Sequence, residues 1–591
     1  MDFLSPIIKR KQIKVLFLSL CSLIIISNSC ALENKKERPA SVFKPSSLDQ
    51  HCQEIIGPPR IERISEHVWL AIGYDLANTV LIHTSAGNVI VDPAMSPEKA
   101  RTIKNAFLSS APPGPIKAII YTHSHIDHTG GASVWEDKDT QIWATEAFRE
   151  HFFKQYSLFF PAEMMRGRRQ FGYHVPEADL PCSAIGARPK MQAALENGTI
   201  LPTHTFTGSH TLKIGQLTLE LYEAPGETHD QLFIWIPEDK TLIAGDNFYW
   251  SFPNLYSIRG TSPRPVDGWI KSLDAMRAKE PEHLVLNHTK PIHGKEKILK
   301  ALTDYRDAIQ WLRDEVVRRA NKGDDLDNIV ENTKLPPHLV GQDYLRELYG
   351  QVDWSVRAIY ANYLGWFDGR ADQLYPLSTT EIAREEVQQI GGPERVWKLA
   401  EEAWQKKDWP WAIHWFTKLK KSGFLTAEGE KLWREKLAAC YENLGGQISN
   451  TNGRAYLLET AYELIYGISE PALPKLNEKL IDQIPLEIIF QNLAVRLDPS
   501  KVMEVHESVY FVFSDENKRF IVTVRQGIAE IVNGTPLPGT PKPIAIVQMD
   551  THTYRRLSLK LLSPFSAYIE GKIRVEGSWL KFLKFMSYFQ R

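Results

Sequence analysis

Thr122-His123-Ser124-His125-Ile126-Asp127-His128-Thr129-Gly130-Gly131 sets three histidines and an aspartate on one short stretch, directly after the apolar run Ile116 to Ile120. Imidazole nitrogens and a carboxylate that converge at the end of a strand are the donor set of a transition-metal site. A lone histidine in a loop is more often a hydrogen-bonding residue, but four donors at this spacing after a buried-looking strand point to metal. Gly130 and Gly131 carry no Cβ, so the backbone there can turn tightly, take positive φ and approach the ions.

This stretch resembles the signature of the metallo-β-lactamase superfamily, which implies a two-metal hydrolase. Two further stretches, Phe252-Pro253-Asn254-Leu255-Tyr256-Ser257-Ile258-Arg259-Gly260 and Tyr363-Leu364-Gly365-Trp366-Phe367-Asp368-Gly369, resemble the alkyl sulfatase branch of that superfamily. The resemblance runs along most of the mature chain.

Other donors stand at the ends of strand-like segments. The alternating run Leu217 to Leu221 leads through Ala224-Pro225-Gly226-Glu227-Thr228 to His229. Gln231 to Ile236 and Thr241 to Ala244 form a hairpin whose second arm delivers Asp246, and the short strand His283 to Asn287 ends in His288. The predicted set divides into His123, His125 and His229 around one ion and Asp127, His128 and His288 around the other, with Asp246 bridging. Nitrogen-rich donors suit two zinc ions, manganese and iron being alternatives. Two such ions lower the pKa of a shared water to roughly 7 and polarise the group under attack, which is hydrolase chemistry. Asp92, at another strand end, reads as a supporting carboxylate. Where the best-known alkyl sulfatases have glutamates, this chain has His229 and Asp246.

The elements that must position these groups read as an αβ/βα sandwich. Val68 to Tyr74, Val80 to His83 and Val89 to Asp92 are strands, the last two joined by the turn Ser85 to Asn88, and a helix runs from Ser96 to Leu108 with Pro97 in its first turn. Between the sandwich halves, Phe148 to Thr203 carries Phe152, Phe153, Phe159 and Phe160 beside Arg166, Arg168, Arg169 and Tyr173. This insert is either a substrate-contacting surface or a local aromatic core beneath a solvated cationic face. The Arg168 to Tyr173 pattern resembles the alkyl sulfatases near their sulfate site. That resemblance implies Arg259, with Tyr173 and Arg264, as sulfate-holding groups, because a guanidinium can grip a sulfate monoester through two parallel hydrogen bonds. His293 and Tyr249 are candidates for the proton donor to the leaving alkoxide.

With 591 residues, 43% of them hydrophobic, the chain can fill several cores. Its net charge of -1 gives no footprint for nucleic acid. Lys9, Arg10, Lys11 and Lys14 precede an apolar run from Val15 to Ile26 and small residues Ser27, Ser29 and Ala31, the pattern of a secretory signal peptide cut after Ala31. The expected destination is the periplasm, without a stable membrane span after processing, and lipidation at Cys30 is the second reading. Cys52, Cys182 and Cys440, scattered and odd in number, read as buried thiols.

Beyond Pro376 the periodicity becomes helical, with Val396, Trp397, Leu399, Ala400 and Trp404 followed by Trp411 to Leu419, Leu432 to Leu444 and Tyr456 to Ile465. These hairpins resemble tetratricopeptide repeats, and in the alkyl sulfatases the matching region makes a dimer, so a homodimer is expected. From Pro474 strands return at Val509 to Phe513, Phe520 to Val524 and Ile528 to Val532, and Gly571 to Gly577 precedes an apolar helix. This end resembles a sterol carrier protein, which implies a tunnel for an aliphatic chain. The expected organisation is multidomain: signal peptide 1–31, linker 32–59, αβ/βα catalytic domain 60–376, all-α domain 377–470 and α+β domain 471–591. The expected activity is hydrolysis of a small amphiphilic sulfate ester. Alternatives are hydrolysis of a lactone, thioester or β-lactam, or lipid binding without catalysis around structural zinc.

Overall fold

The computed structural model describes residues 45–589, apart from 190–195 and 469–474. The signal segment, Cys30 and the cleavage site lie outside the described residues. Two sheets face each other. The first has seven strands in sequence order: Arg60–Arg63, Val68–Ile72, Thr79–Thr84 and Gly87–Val91 run antiparallel, then Ile116–Ile120, Gln141–Thr145 and His204–Phe206 continue parallel. The second has six strands in the order Ile292–His293, His283–Val285, Thr241–Ile243, Leu232–Ile236, Leu217–Glu223 and Ser209–Ile214.

Alternation along the strands explains the layering. Val68, Leu70 and Ile72 meet Leu219, Leu221 and Ile234 between the sheets, whereas Trp69 and Ala71 face the other way, toward the helix Pro97–Leu108. On the far side Phe233 and Trp235 pack under Val266–Arg277 and Lys295–Ala320. The result is helix, sheet, sheet, helix. Ser96 caps Pro97–Leu108 by accepting from the Lys99 N–H, and Pro97 occupies the first helical position, where its missing N–H costs nothing.

Residues 45–59 differ from the expected linker. Ser46–His51 and Cys52–Ile56 are helical, Leu48, Ile55 and Ile56 are buried, and Cys52 is disulfide-bonded to Cys182. The expectation of free thiols at these two positions is therefore corrected. Their separation of 130 residues hid the pairing, which only the tertiary fold creates. Cys440 is free and buried, and burial pushes its thiol up to about 12.

Five helices, Thr379–Ile390, Pro393–Gln405, Trp409–Ser422, Ala427–Gln447 and Thr451–Tyr466, form the all-α region, with Trp409 and Trp433 in its core. The final region is a five-stranded sheet in the order Ile528–Asn533, Lys518–Arg525, His506–Phe513, Pro543–Met549, Arg574–Gly577, packed against helices including Trp579–Met586. The strand Pro543–Met549, absent from the strands read in the sequence, pairs parallel with His506–Phe513.

Candidate metal centre

Every donor leaves from the end of a strand on the same edge of the sandwich. His123 and His125 follow Ile116–Ile120, Asp127 and His128 open the short helix Ile126–Thr129, Asp246 follows Thr241–Ile243, and His288 follows His283–Val285. They form two buried clusters: His123, His125 and Asp246, and Asp127, His128 and His288. Asp246 Oδ2 lies 3.7 Å from His123 Nε2, 3.4 Å from His128 Nε2 and 3.1 Å from His288 Nε2, so it stands between the two. Asp127 Oδ2 lies 3.4 Å from His128 Nε2 and 3.6 Å from His288 Nε2.

Polar partners behind the donors fix their rings. Asp92 accepts from the Thr122 N–H at 2.8 Å, the Thr122 hydroxyl at 2.7 Å and the Asn287 amide at 2.7 Å, and its Oδ2 lies 2.6 Å from His128 Nδ1. His288 Nδ1 lies 2.8 Å from the Leu76 carbonyl. Each arrangement leaves Nε2 of the ring facing the cluster, the usual way an outer carboxylate or carbonyl orients a ligating histidine. Gly130 and Gly131 serve close packing rather than positive φ. Their φ values are -66° and -98°, and a Cβ at either would fall 1.9 Å from the Met95 carbonyl oxygen or 2.1 Å from that of Pro93.

The electrostatics of the clusters favour positive charge between them. Burial holds His123 down at about 3 and His125 well below the ordinary histidine range. Burial also opposes a proton on His128, yet Asp246, Asp127 and Asp92 outweigh it and raise that group well above its usual value. Asp246 is likewise lowered despite burial, because His128, His288 and His123 surround it. His128 Nε2 and Asp246 Oδ1 are buried with no hydrogen-bond partner. Two imidazoles that resist protonation, two more drawn toward positive charge by buried carboxylates, and donor atoms left without partners fit divalent cations.

His229 does not join them. It is exposed, its Nε2 lies 3.1 Å from the Pro263 carbonyl, and its ring stacks on His151 at 5.3 Å. The turn before it explains why. The Glu227 N–H donates to Asn247 Oδ1 at 3.1 Å, and a Cβ on Gly226 would lie 1.9 Å from the same oxygen, so the turn is drawn under Asn247. That brings Glu227 inside and leaves His229 at the rim. Glu227 Oε1 pairs with Arg264 at 2.6 Å, while its Oε2 is buried without a partner. Burial, opposed by Arg264, raises its carboxyl to about 7. The signal for Glu227 was present as a carboxylate directly after Pro225-Gly226, in a segment already read as leading to the site.

The sulfate-holding candidates separate. Arg259 is half-buried, with Nη1 2.8 Å from Ser257 Oγ and Nη2 3.4 Å from His125 Nε2, so its guanidinium adjoins the donors. Arg264 is buried and engaged with Glu227. Tyr173 packs its ring against the Arg168 guanidinium at 4.2 Å and against His174 at 4.7 Å. Of the two proton-donor candidates, His293 is exposed and lies 2.9 Å from His283, whereas the Tyr249 ring sits edge-on to His288 at 6.3 Å. A cleft lined by Ser124, His125, His151, Thr228, His229 and Pro263 opens from the donors to solvent.

A four-layer sandwich with two donor clusters at one edge defines a metal-dependent hydrolase fold, and residues 72–288 match the family model described as metallo-beta-lactamase superfamily. Residues 325–467 match alkyl sulfatase dimerisation and residues 474–591 match alkyl sulfatase C-terminal. A linear primary-alkylsulfatase of Pseudomonas sp. is 31% identical over 526 residues, covering 86% of this chain and 98% of the relative. An (R)-specific secondary-alkylsulfatase of Pseudomonas sp. is 28% identical, covering 87% and 78%. The solved structure of the stereoselective inverting sec-alkylsulfatase Pisa1 from Pseudomonas sp. superposes with a TM-score of 0.83 at 25% identity, covering 96% of this chain and 94% of that one. The chain belongs to the alkyl sulfatase family of the metallo-β-lactamase superfamily.

Proposed function

We propose that the chain hydrolyses sulfate monoesters of hydrophobic alcohols, with two zinc ions held by the paired clusters. The observation that supports this reading is the Arg259 guanidinium 3.4 Å from His125, which puts a cation able to take an anion beside the donors. His123, His125 and Asp246 would hold one ion and Asp127, His128 and His288 the other, with Glu227 the added carboxylate in place of His229. Bound divalent ions would polarise the ester and acidify a water at neutral pH. Arg259 would take two sulfate oxygens and orient the ester, and Arg264 would keep Glu227 aimed inward.

Export to the periplasm is part of the proposal, supported by the signal-like first segment and by a disulfide, which persists in oxidising compartments. A homodimer through the helical region is supported by its match to a dimerisation family, whose matched residues 325–467 also carry exposed Trp366, Tyr375 and Leu377 just before the first of the five helices. Among the described residues no helix is long and apolar enough to cross a membrane.

A panel of alkyl sulfates, alkyl phosphates, lactones, thioesters and β-lactams, offered to the metal-loaded protein, tests the activity. Turnover confined to sulfate esters is expected, and preference for any other class would replace this reading. Arg259→Lys keeps the charge but loses the paired geometry, so kcat/KM on sulfate esters should fall about 10–100-fold.

A further inference from the structure

The helix Phe160–Phe171 touches the Arg259 loop with one side and the all-α region with the next. On the first side, buried Gln170 accepts through Oε1 from the Arg259 N–H at 2.9 Å and from the Ser257 hydroxyl at 3.3 Å. Arg166, one turn earlier, donates from Nε and Nη2 to the Ile258 carbonyl at 3.1 and 2.8 Å. Three consecutive residues of the arginine loop, Ser257 to Arg259, are thus held by one helical face. Ser257 in turn accepts from Arg259 Nη1, so backbone and side chain of Arg259 are both tied to that support.

The neighbouring face and the turn that follows grip the helix Thr451–Tyr466. Arg169 Nε donates to Glu463 Oε2 at 2.7 Å. The His174 N–H donates to Glu459 Oε2 at 2.7 Å, its Nδ1 lies 2.6 Å from Glu459 Oε1, and its ring stacks on Tyr462 at 4.1 Å. The Glu459 side chain is fully buried and that of Glu463 is nearly so. Charged hydrogen bonds shielded from water are stiff and directional, unlike exposed ion pairs.

We infer that the helical region positions the sulfate-binding arginine: Glu459 and Glu463 set the helix Phe160–Phe171, and Gln170 and Arg166 pass that setting to Arg259. These are positioning residues, none of which touches the donor clusters. The inference rests on the proposed role of Arg259 and adds that the pocket for the sulfate group is completed by a region outside the sandwich. A small displacement of the helix would move a guanidinium whose two hydrogen bonds must meet two oxygens at once, so anion affinity would fall while metal binding stays intact.

The test is a double-mutant cycle read by inhibition with inorganic sulfate and by kcat/KM on an alkyl sulfate. Glu463→Gln, Glu459→Gln and Gln170→Met are each made in the wild-type chain and in the Arg259→Lys chain. Metal content, melting temperature and mass by light scattering are followed in parallel. In the wild-type background each variant should weaken sulfate inhibition by about threefold or more, and in the Arg259→Lys background that factor should vanish. Equal factors in both backgrounds, or unchanged sulfate inhibition in the wild-type background, would overturn the inference. Glu463→Gln and Gln170→Met carry the test if Glu459→Gln does not fold. A wild-type protein that neither turns over alkyl sulfates nor binds sulfate would instead sink the proposed activity, so the two failures are distinguishable.

Discussion

The donor clusters and the arginine loop sit side by side, yet they are built differently. The donors stand at or just past strand ends of the sandwich, and His128 and His288 are held directly by Asp92 and the Leu76 carbonyl. Arg259 sits on a loop, half-buried, and its support passes through an inserted helix to a separate helical region. The floor of the site is therefore set chiefly by the sandwich, with Tyr156 and Thr199 of the insert bracing the donor loop, whereas its wall depends on parts added to it. Such a division lets recognition change without disturbing the metal-binding core.

The sharpest way to break the comparison is at Asp246. Its carboxylate lies within 3.7 Å of three histidine nitrogens from both clusters, so Asp246→Ala should empty both sites and lower turnover on the order of 10³-fold or more. Elemental analysis showing one full site would mean that the clusters are independent. Asp92→Asn strikes the floor from behind. It removes the charge facing His128 Nδ1, and metal affinity, measured by chelator competition, should fall about 10–100-fold. Sulfate inhibition of the reloaded variant should stay near the wild-type value. A matched loss of sulfate affinity would show that floor and wall are one unit.

The same division explains what the sequence could reveal. His123, His125, Asp127 and His128 are adjacent in the chain, so their convergence needed no tertiary information. Asp246 and His288 were legible because strands with alternating or apolar runs end just before them, and a parallel edge gathers such ends. The sandwich and the two regions that follow it were likewise written in periodicity. Contacts between distant segments were not legible: Cys52 with Cys182, Gln170 with Arg259, and Glu463 with Arg169 depend on how separate elements pack. His229 failed for a local reason. A histidine shortly after a strand end looks like a ligand, but the turn beneath Asn247 decides which side chain faces inward, and residue type alone does not encode that choice.

The smallest expected effect sharpens that correction. His229 is exposed, its ring lies against His151, and its Nε2 reaches only the Pro263 carbonyl, so His229→Ala removes a rim contact and no donor. Metal content should match the wild-type protein, and KM should change by no more than about threefold, as expected for an exposed side chain away from the reacting atoms. Glu227→Gln is the contrasting variant. It keeps the shape of the side chain but withdraws the charge from Arg264 and from the buried Oε2, leaving a guanidinium unpaired inside the protein. That variant should lose metal affinity and melt at lower temperature. If elemental analysis instead finds metal lost from His229→Ala and retained by Glu227→Gln, then the turn after Gly226 must reverse when metal binds, and His229 rather than Glu227 belongs to the floor.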